Sequence, residues 1–164
     1  MYWSALGFIE SAQLDGSNRA TIALGNTSFD RPFDALYITL DVPFNRIYFV
    51  SYDESAIFYI DLDSGNNSIH TVLQSVFLFF QPHGIAVDDQ YLYWGETFWY
   101  KMVLRVNKTN YADVSVEVSG LHGQRGIAVK KGRYEQESEY FLWQYHDITK
   151  PYKFFLGAIR FPPN

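Results

Sequence analysis

The sequence predicts an all-β fold on three observations. Of the 164 residues, 19% are Phe, Trp or Tyr, which favour strands over helices. Short apolar segments alternate with turn-forming residues, and no window keeps a helical period. Aromatic pairs recur as Tyr2-Trp3, Tyr48-Phe49 and Tyr93-Trp94, and their second residues are 46 and 45 positions apart. This spacing indicates an internal repeat.

The first repeat is predicted to be partial and to cover residues 1–28. It opens at the aromatic pair Tyr2-Trp3, which corresponds to the second strand of the later repeats. A turn at Asp15-Gly16 then precedes an apolar segment around Ile22. The aromatic pairs and Asp15-Gly16 together form the structural repeat motif, and strand alternation predicts that the pairs pack inside the sheets.

The second and third repeats, residues 29–76 and 77–118, are predicted to be complete. Strands are expected at 46–50 and 56–62, and turns at 41–45, 64–67, 88–90 and 107–110. The segment Gly84-Ile85-Ala86-Val87 is the expected first strand of the third repeat. Four strands in about 45 residues are typical of one four-stranded, antiparallel blade of a β-propeller.

The fourth repeat, residues 119–164, is predicted to be partial and divergent. It holds Gly126-Ile127-Ala128-Val129, a weaker pair at Leu142-Trp143 and an expected third strand at 154–161. The sequence thus predicts about three to four blades. Because a propeller must close to remove its sheet edges, we expect this chain to be a piece of a longer protein.

Three segments carry a family resemblance: Leu14 to Arg19 (LDGSNR), Pro82 to Asp88 (PHGIAVD) and Tyr91 to Trp94 (YLYW). They resemble the YWTD repeat, also called the low-density lipoprotein receptor class B repeat, as found in lipoprotein-receptor-related proteins. The Thr-Asp that follows Tyr-Trp in the family is here Ser4-Ala5, Val50-Ser51 and Gly95-Glu96. Because that Asp ties neighbouring blades together in the family, its absence predicts a weakly held propeller.

The resemblance implies a six-bladed propeller in the extracellular part of a receptor. Such propellers bind protein ligands in endocytic uptake or signalling and are not enzymes. We therefore expect a protein partner, an extracellular location and a membrane-anchored parent protein. The net charge of −5 without a basic block argues against nucleic acid. The longest apolar run, Val76–Phe80, is too short for membrane insertion of this segment.

Aromatic and basic residues predicted to lie in loops at one end of the blades are the ligand-face candidates. Trp, Tyr and Arg supply most of the binding energy at protein interfaces. The loops between the second and third strands and between repeats supply the candidates Tyr52, Phe98, Trp99, Tyr100, His83 and Arg125.

Three Asn-x-Ser/Thr triplets make Asn26, Asn66 and Asn107 glycosylation candidates. Asn66 and Asn107 fall in the expected turn between the third and fourth strands of successive blades. That turn lies at the end of a blade opposite to the ligand-face loops.

The sequence predicts no catalytic, metal-binding or cofactor-binding residue. The adjacent acids Asp88-Asp89 occupy an expected turn, the four His lack metal-ligand spacing, and Cys is absent. Two alternatives stay open: a six-bladed propeller hydrolase of the lactonase or strictosidine-synthase type, and an NHL-repeat interaction scaffold, which Gly-Ile-Ala-Val suggests.

Overall fold

A computed structural model describes residues 1–5, 7–24, 35–63, 69–75, 80–96, 101–121, 124–130, 140–146 and 154–160. Within these ranges, all regular secondary structure is β-strand. The strands are β1 (Tyr2–Ala5), β2 (Phe8–Ser11), β3 (Ala20–Leu24), β4 (Ala35–Asp41), β5 (Arg46–Ser51), β6 (Ala56–Asp61), β7 (Ile69–Gln74), β8 (Pro82–Val87), β9 (Tyr91–Glu96), β10 (Met102–Asn107), β11 (Asn110–Val118), β12 (Gln124–Lys130), β13 (Tyr140–His146) and β14 (Phe154–Arg160). The described residues contain no helix long and apolar enough to cross a membrane.

The strands form four sheets, and strands consecutive in sequence are neighbours in each sheet. The orders are β1-β2-β3, β4-β5-β6-β7, β8-β9-β10-β11 and β12-β13-β14. We number these sheets one to four along the chain. The prediction of antiparallel, four-stranded sheets is confirmed in sheets two and three, and sheets one and four have three strands each within the described residues.

The sheets lie inside the four predicted repeats. Sheets two and three cover 35–74 and 82–118, within the two complete repeats expected at 29–76 and 77–118. The segment 154–160 is the third strand of sheet four, as expected. The predicted repeat boundaries between residues 28 and 29 and between 76 and 77 lie outside the described residues, and the one between 118 and 119 follows the last residue of β11. The boundaries stay predictions.

Two similar turns connect the first three strands of sheet two. In the β4–β5 turn, the Asn45 amide donates to the Val42 carbonyl at 3.1 Å, and in the β5–β6 turn the Ser55 amide donates to the Tyr52 carbonyl at 3.1 Å. Asn45 and Ser55 both have left-handed backbones, with φ of 48° and 50°. Asn adopts this conformation more readily than most residues, whereas Ser55 is strained there.

Residues 1–82 form one compact unit in which sheets one and two share a core. Alternation along β5 and β6 points Ile47, Phe49, Phe58 and Ile60 to the same sheet face, since they are cross-strand partners. The Phe49 and Phe58 rings are 5.4 Å apart. The other buried members of this core are Ile9, Ala23, Ala35 and Ala56.

Residues 83–164 form the second unit, whose core lies between sheets three and four. Tyr93 and Val103 are buried at its centre. Half-buried side chains from β9, β11, β12 and the segment after β11 complete it, namely Tyr91, Val118, Leu121, Ile127 and Val129.

The aromatic pairs differ in burial along the chain. Tyr48, Phe49, Tyr93 and Trp94 are all buried, as alternation between two covered sheet faces predicts. Tyr2 is 36% exposed and Trp3 is half-buried, so the expectation that this pair packs inside the sheets is wrong for Tyr2.

Candidate functional site

The structure places one predicted ligand-face residue on an exposed turn. Tyr52 begins the β5–β6 turn and is 37% exposed. Phe98, Trp99 and Tyr100 lie outside the described residues, and their predicted role stays a prediction.

His83 and Arg125 lie in strands rather than in the connecting loops that the sequence predicted. His83 is the second residue of β8 and half-buried, and Arg125 is the second residue of β12. Both strands begin before the Gly-Ile-Ala-Val segment with which the sequence predicts them to start. In β12, a register irregularity near Gly126 lets pairing resume at Gln124, opposite Tyr145.

At each of the first three sheets, an Arg in a strand or directly before one lies against an aromatic ring and near a carboxylate, and we call these sites the arginine clusters. In sheet one, the Arg19 guanidinium lies 5.4 Å from the Trp3 ring centre. It donates to both oxygens of buried Glu10, at 2.9 and 2.6 Å, and Trp3 Nε1 donates to Glu10 Oε2 at 3.0 Å. The hydrogen bond from Arg19 is the main cause that lowers the pKa of Glu10 below its ordinary value.

The cluster of sheet two centres on Arg46 and Tyr59. The Arg46 guanidinium lies 4.4 Å from the Tyr59 ring centre and 5.4 Å from that of Phe44. Asp61, directly opposite Arg46 in the ladder, is 3.9 Å away, between Arg46 Nε and Asp61 Oδ2. His70 of β7 stacks on Tyr59, with ring centres 4.8 Å apart.

The cluster of sheet three centres on Arg105 and Tyr91. Here the guanidinium is 4.1 Å from the Tyr91 ring centre. Arg105 Nε forms an ion pair with Glu117 Oε1 at 2.8 Å and donates to Ser115 Oγ at 3.3 Å.

The clusters of sheets two and three use the same two positions with the residues exchanged. Arg46 and Tyr91 each lie two residues before the Tyr of the aromatic pair on the second strand. Tyr59 and Arg105 each lie opposite that Tyr on the third strand. These clusters were not among the residues predicted from the sequence, and the repeat spacing was the signal that could have revealed them. They join strands and balance charge within a sheet, and their Arg side chains are 21% to 62% exposed.

Asp88, one of the adjacent acids, caps the turn between β8 and β9. Its Oδ1 accepts from the amides of Gln90 and Tyr91 at 2.7 and 2.6 Å, and its Oδ2 accepts from the Tyr93 hydroxyl at 2.7 Å. Burial, followed by the bond to Asp88, raises the pKa of Tyr93 far above its ordinary value. This arrangement holds Asp88 as a turn acceptor and keeps the Tyr93 hydroxyl protonated.

Lys108 is a buried residue that was not among the candidates predicted from the sequence. Its Nζ donates to the backbone carbonyl of Asp88 at 2.6 Å, which ties the β10–β11 turn to the β8–β9 turn. Residue type alone predicts an exposed side chain at this position, because Lys is almost always exposed unless it has a partner.

Within the described ranges, no three His, Cys, Asp or Glu side chains are grouped so that they could hold a metal ion. Asn107 is the last residue of β10, and Asn26 and Asn66 fall outside the described residues.

Comparison with known proteins identifies the fold. No protein-family model matches the sequence. Among solved structures, the chain is similar to one in the crystal structure of a nidogen/laminin complex, with a TM-score of 0.65. The fold is that of a β-propeller. The alignment covers 94% of this chain at 19% sequence identity, and this chain spans 58% of the length of the matched chain. The propeller prediction is thus confirmed, and membership of the YWTD family stays a prediction.

Proposed function

We propose that this chain is part of an extracellular, receptor-type propeller that binds a protein partner and has no enzymatic activity. The observation that carries the proposal is the likeness to a chain solved in a nidogen/laminin complex, since a blade fold of this kind can present turns to another protein. The proposed setting is the ectodomain of a membrane-anchored protein with a role in uptake or signalling, as the resemblance to the YWTD repeat implies.

Tyr52 is the described residue on which we place partner contact. The Ser55 amide donates to the Tyr52 carbonyl within the β5–β6 turn, and the amide of Ser75, directly after β7, donates to the Ser55 carbonyl at 3.1 Å. The Glu54 amide faces Ser51 Oγ at 3.4 Å. A turn held in this way loses little conformational freedom on binding, and Tyr supplies a large contact area.

The test compares Tyr52→Ala with a matched control, Leu14→Ala, in a turn of sheet one that is not a predicted partner contact. Leu14 lies in the β2–β3 turn, is 90% exposed and is apolar, so Leu14→Ala removes a comparable exposed side chain. The secreted chain is titrated against a panel of extracellular proteins that includes laminin. We expect Tyr52→Ala to weaken binding about tenfold, or about 1.4 kcal/mol, and Leu14→Ala to leave it unchanged. Failure of every panel member to bind would contradict the proposed function.

The hydrolase alternative has a separate test. Propeller hydrolases of the lactonase type need a bound metal ion. A metal that binds only the folded state raises the melting temperature by mass action. We expect no rise when calcium, magnesium or zinc is added to the chain, and a large rise would support the enzyme class instead.

A further inference from the structure

Asn107 is half-buried at the end of β10, and its side chain has a fixed orientation beside the exposed Thr109. Its Oδ1 accepts from the backbone amide of Thr109 at 2.9 Å and from the Thr109 hydroxyl at 2.7 Å. A backbone N–H can only donate, so the atom that faces it must be the amide oxygen. Because the amide group is planar, its nitrogen Nδ2 points away from Thr109. Within the described part of the chain, no hydrogen bond is donated by Nδ2 of Asn107.

The hairpin between β10 and β11 fixes the backbone around the Asn107 side chain. Asn107 and Asn110 are ladder partners across a turn of two residues, Lys108 and Thr109. Thr109 and Asn110 are exposed, whereas Lys108 is buried and bonded to the Asp88 carbonyl. The middle residue of the Asn-Lys-Thr triplet therefore anchors the turn, whereas Thr109 is exposed and Asn107 is half-buried.

We propose that Asn107 is the attachment site of an N-linked oligosaccharide. Asn-x-Thr is the acceptor triplet of this modification, and the structure adds a side chain whose oxygen is engaged and whose nitrogen is available. The hydroxyl of Thr109 on Oδ1 polarises the amide and makes its N–H more acidic. The proposal rests on the extracellular location in the proposed function.

The reaction needs a sugar donor of the lipid-linked pyrophosphate class. Asn107 Nδ2 forms a bond to the anomeric carbon of the donor sugar and loses one proton, which passes to the solvent. The bond between that carbon and the pyrophosphate oxygen breaks, and its electron pair leaves with the lipid pyrophosphate. No oxidant or reductant is involved.

The position of the β10–β11 turn in sheet three determines which end of the sheet a glycan on Asn107 would cover. The β10–β11 turn lies at the end of sheet three that also carries the β8–β9 turn, as the Lys108–Asp88 bond shows. A bulky, hydrated glycan would cover that end of the sheet. A protein partner of a glycosylated chain would therefore contact the other end of sheet three, where β9 and β10 are connected.

The experiment directs the full chain into the secretory pathway of eukaryotic cells and measures the peptide that contains Asn107 by mass spectrometry. We expect most copies of this peptide to carry a glycan that a glycan-releasing amidase removes, with conversion of Asn107 to Asp. Asn107→Gln and Thr109→Ala should abolish the modification, and Thr109→Ser should keep it. Asn110→Gln, in the same hairpin but outside the triplet, is the matched control and should leave it unchanged.

The outcomes separate the site from the proposed function. An unmodified Asn107 peptide in the secreted wild-type chain overturns the proposal, whatever the chain binds. A glycan that persists in Thr109→Ala overturns the assigned role of the hydroxyl. A glycan present on the wild type and Thr109→Ser, and absent from Thr109→Ala, supports the site even if no protein of the binding panel is retained.

Discussion

Arg46 illustrates how several weak contacts hold one side chain in sheet two. Its guanidinium is stacked on Tyr59 at 4.4 Å, whereas its closest approach to Asp61 is 3.9 Å, at the outer limit for an ion pair. The Arg46 and Asp61 side chains are 21% and 29% exposed, so water screens the pair. We therefore expect the ring contact to contribute more to stability than the ion pair.

A double-mutant cycle on Arg46 and Tyr59 tests this ranking. Arg46→Ala, Tyr59→Leu and the double variant should show a coupling free energy of about 0.5–1 kcal/mol in chemical unfolding. The cycle of Arg46→Ala with Asp61→Asn is the comparison, and we expect a coupling of about 0.3 kcal/mol. A larger coupling to Asp61 than to Tyr59 would reverse the ranking.

Glu10 makes the stability of sheet one depend on pH. Arg19 lowers the pKa of Glu10 below its ordinary value of 4.5, so folding favours the carboxylate. Its contribution is complete above pH 4.5 and is lost as the pH falls through the lowered pKa of the folded state. We expect Glu10→Gln to lower the melting temperature at pH 7 and to lose less further stability on acidification than the wild type.

A matched variant separates Glu10 from carboxylates in general. Asp113 is an exposed carboxylate of β11, and Asp113→Asn should leave the melting temperature at pH 7 and its acid dependence close to the wild type. Parallel curves of melting temperature against pH for Glu10→Gln and the wild type would contradict the assignment of the acid dependence to Glu10.

At the scale of single elements, the β5–β6 turn carries strain at Ser55. A left-handed backbone costs an ordinary L-residue about 1–2 kcal/mol, and glycine lacks that cost but loses more entropy on folding. We expect Ser55→Gly to be more stable than Ser55→Ala by about 0.5–1 kcal/mol, measured by chemical unfolding. Ser11→Gly, in the strand β2, should instead lose stability. An equal stability of the Gly and Ala variants at position 55 would show that the turn is relaxed.

The strands and turns of sheets two and three could be predicted because their signals are local. Asp41 to Asn45 and Asp88 to Gln90 have turn chemistry, and the pairs at 48–49 and 93–94 alternate between two covered faces. Local signals failed for Tyr2, His83 and Arg125. The exposure of Tyr2 depends on what covers its face of the sheet. Whether His83 and Arg125 lie in a strand depends on how far the strand pairing continues before the glycine that follows each of them.

The candidate site was less predictable than the fold. Lys108 is buried because its Nζ reaches a carbonyl 20 positions earlier in sequence, and Glu10 is buried because Arg19 and Trp3 donate to it. Such pairings depend on the register between strands, which residue types alone do not specify. Tyr52 was predicted correctly as a turn residue because Tyr52 to Ser55 separates two strongly apolar segments.

At the scale of the whole molecule, we expect the isolated chain to self-associate. Strand β11 is the last strand in the order of sheet three, is nine residues long, and carries Val116 at 54% exposure. Exposed apolar edge strands pair readily with other chains, and a lysine on such an edge opposes this. Size-exclusion chromatography should show elution that depends on concentration, and Val116→Lys should reduce that dependence.

Leu14→Lys is the matched control for this prediction. It changes the net charge by the same amount in an exposed turn, away from any strand edge. If both Lys variants suppress association equally, the cause is overall charge rather than the β11 edge. A cooperatively unfolding monomer at every concentration would contradict the expectation of self-association altogether.

The exchanged Arg and Tyr of the second and third arginine clusters have a consequence for how repeats are detected. A profile that scores each position independently counts Arg46 against Tyr91 as one mismatch and Tyr59 against Arg105 as another. A score on the two positions taken jointly counts a single preserved contact, because a guanidinium lies over a ring at 4.4 Å in one sheet and 4.1 Å in the next. Divergent blades of this kind therefore retain pairwise information after their single-site signal has faded.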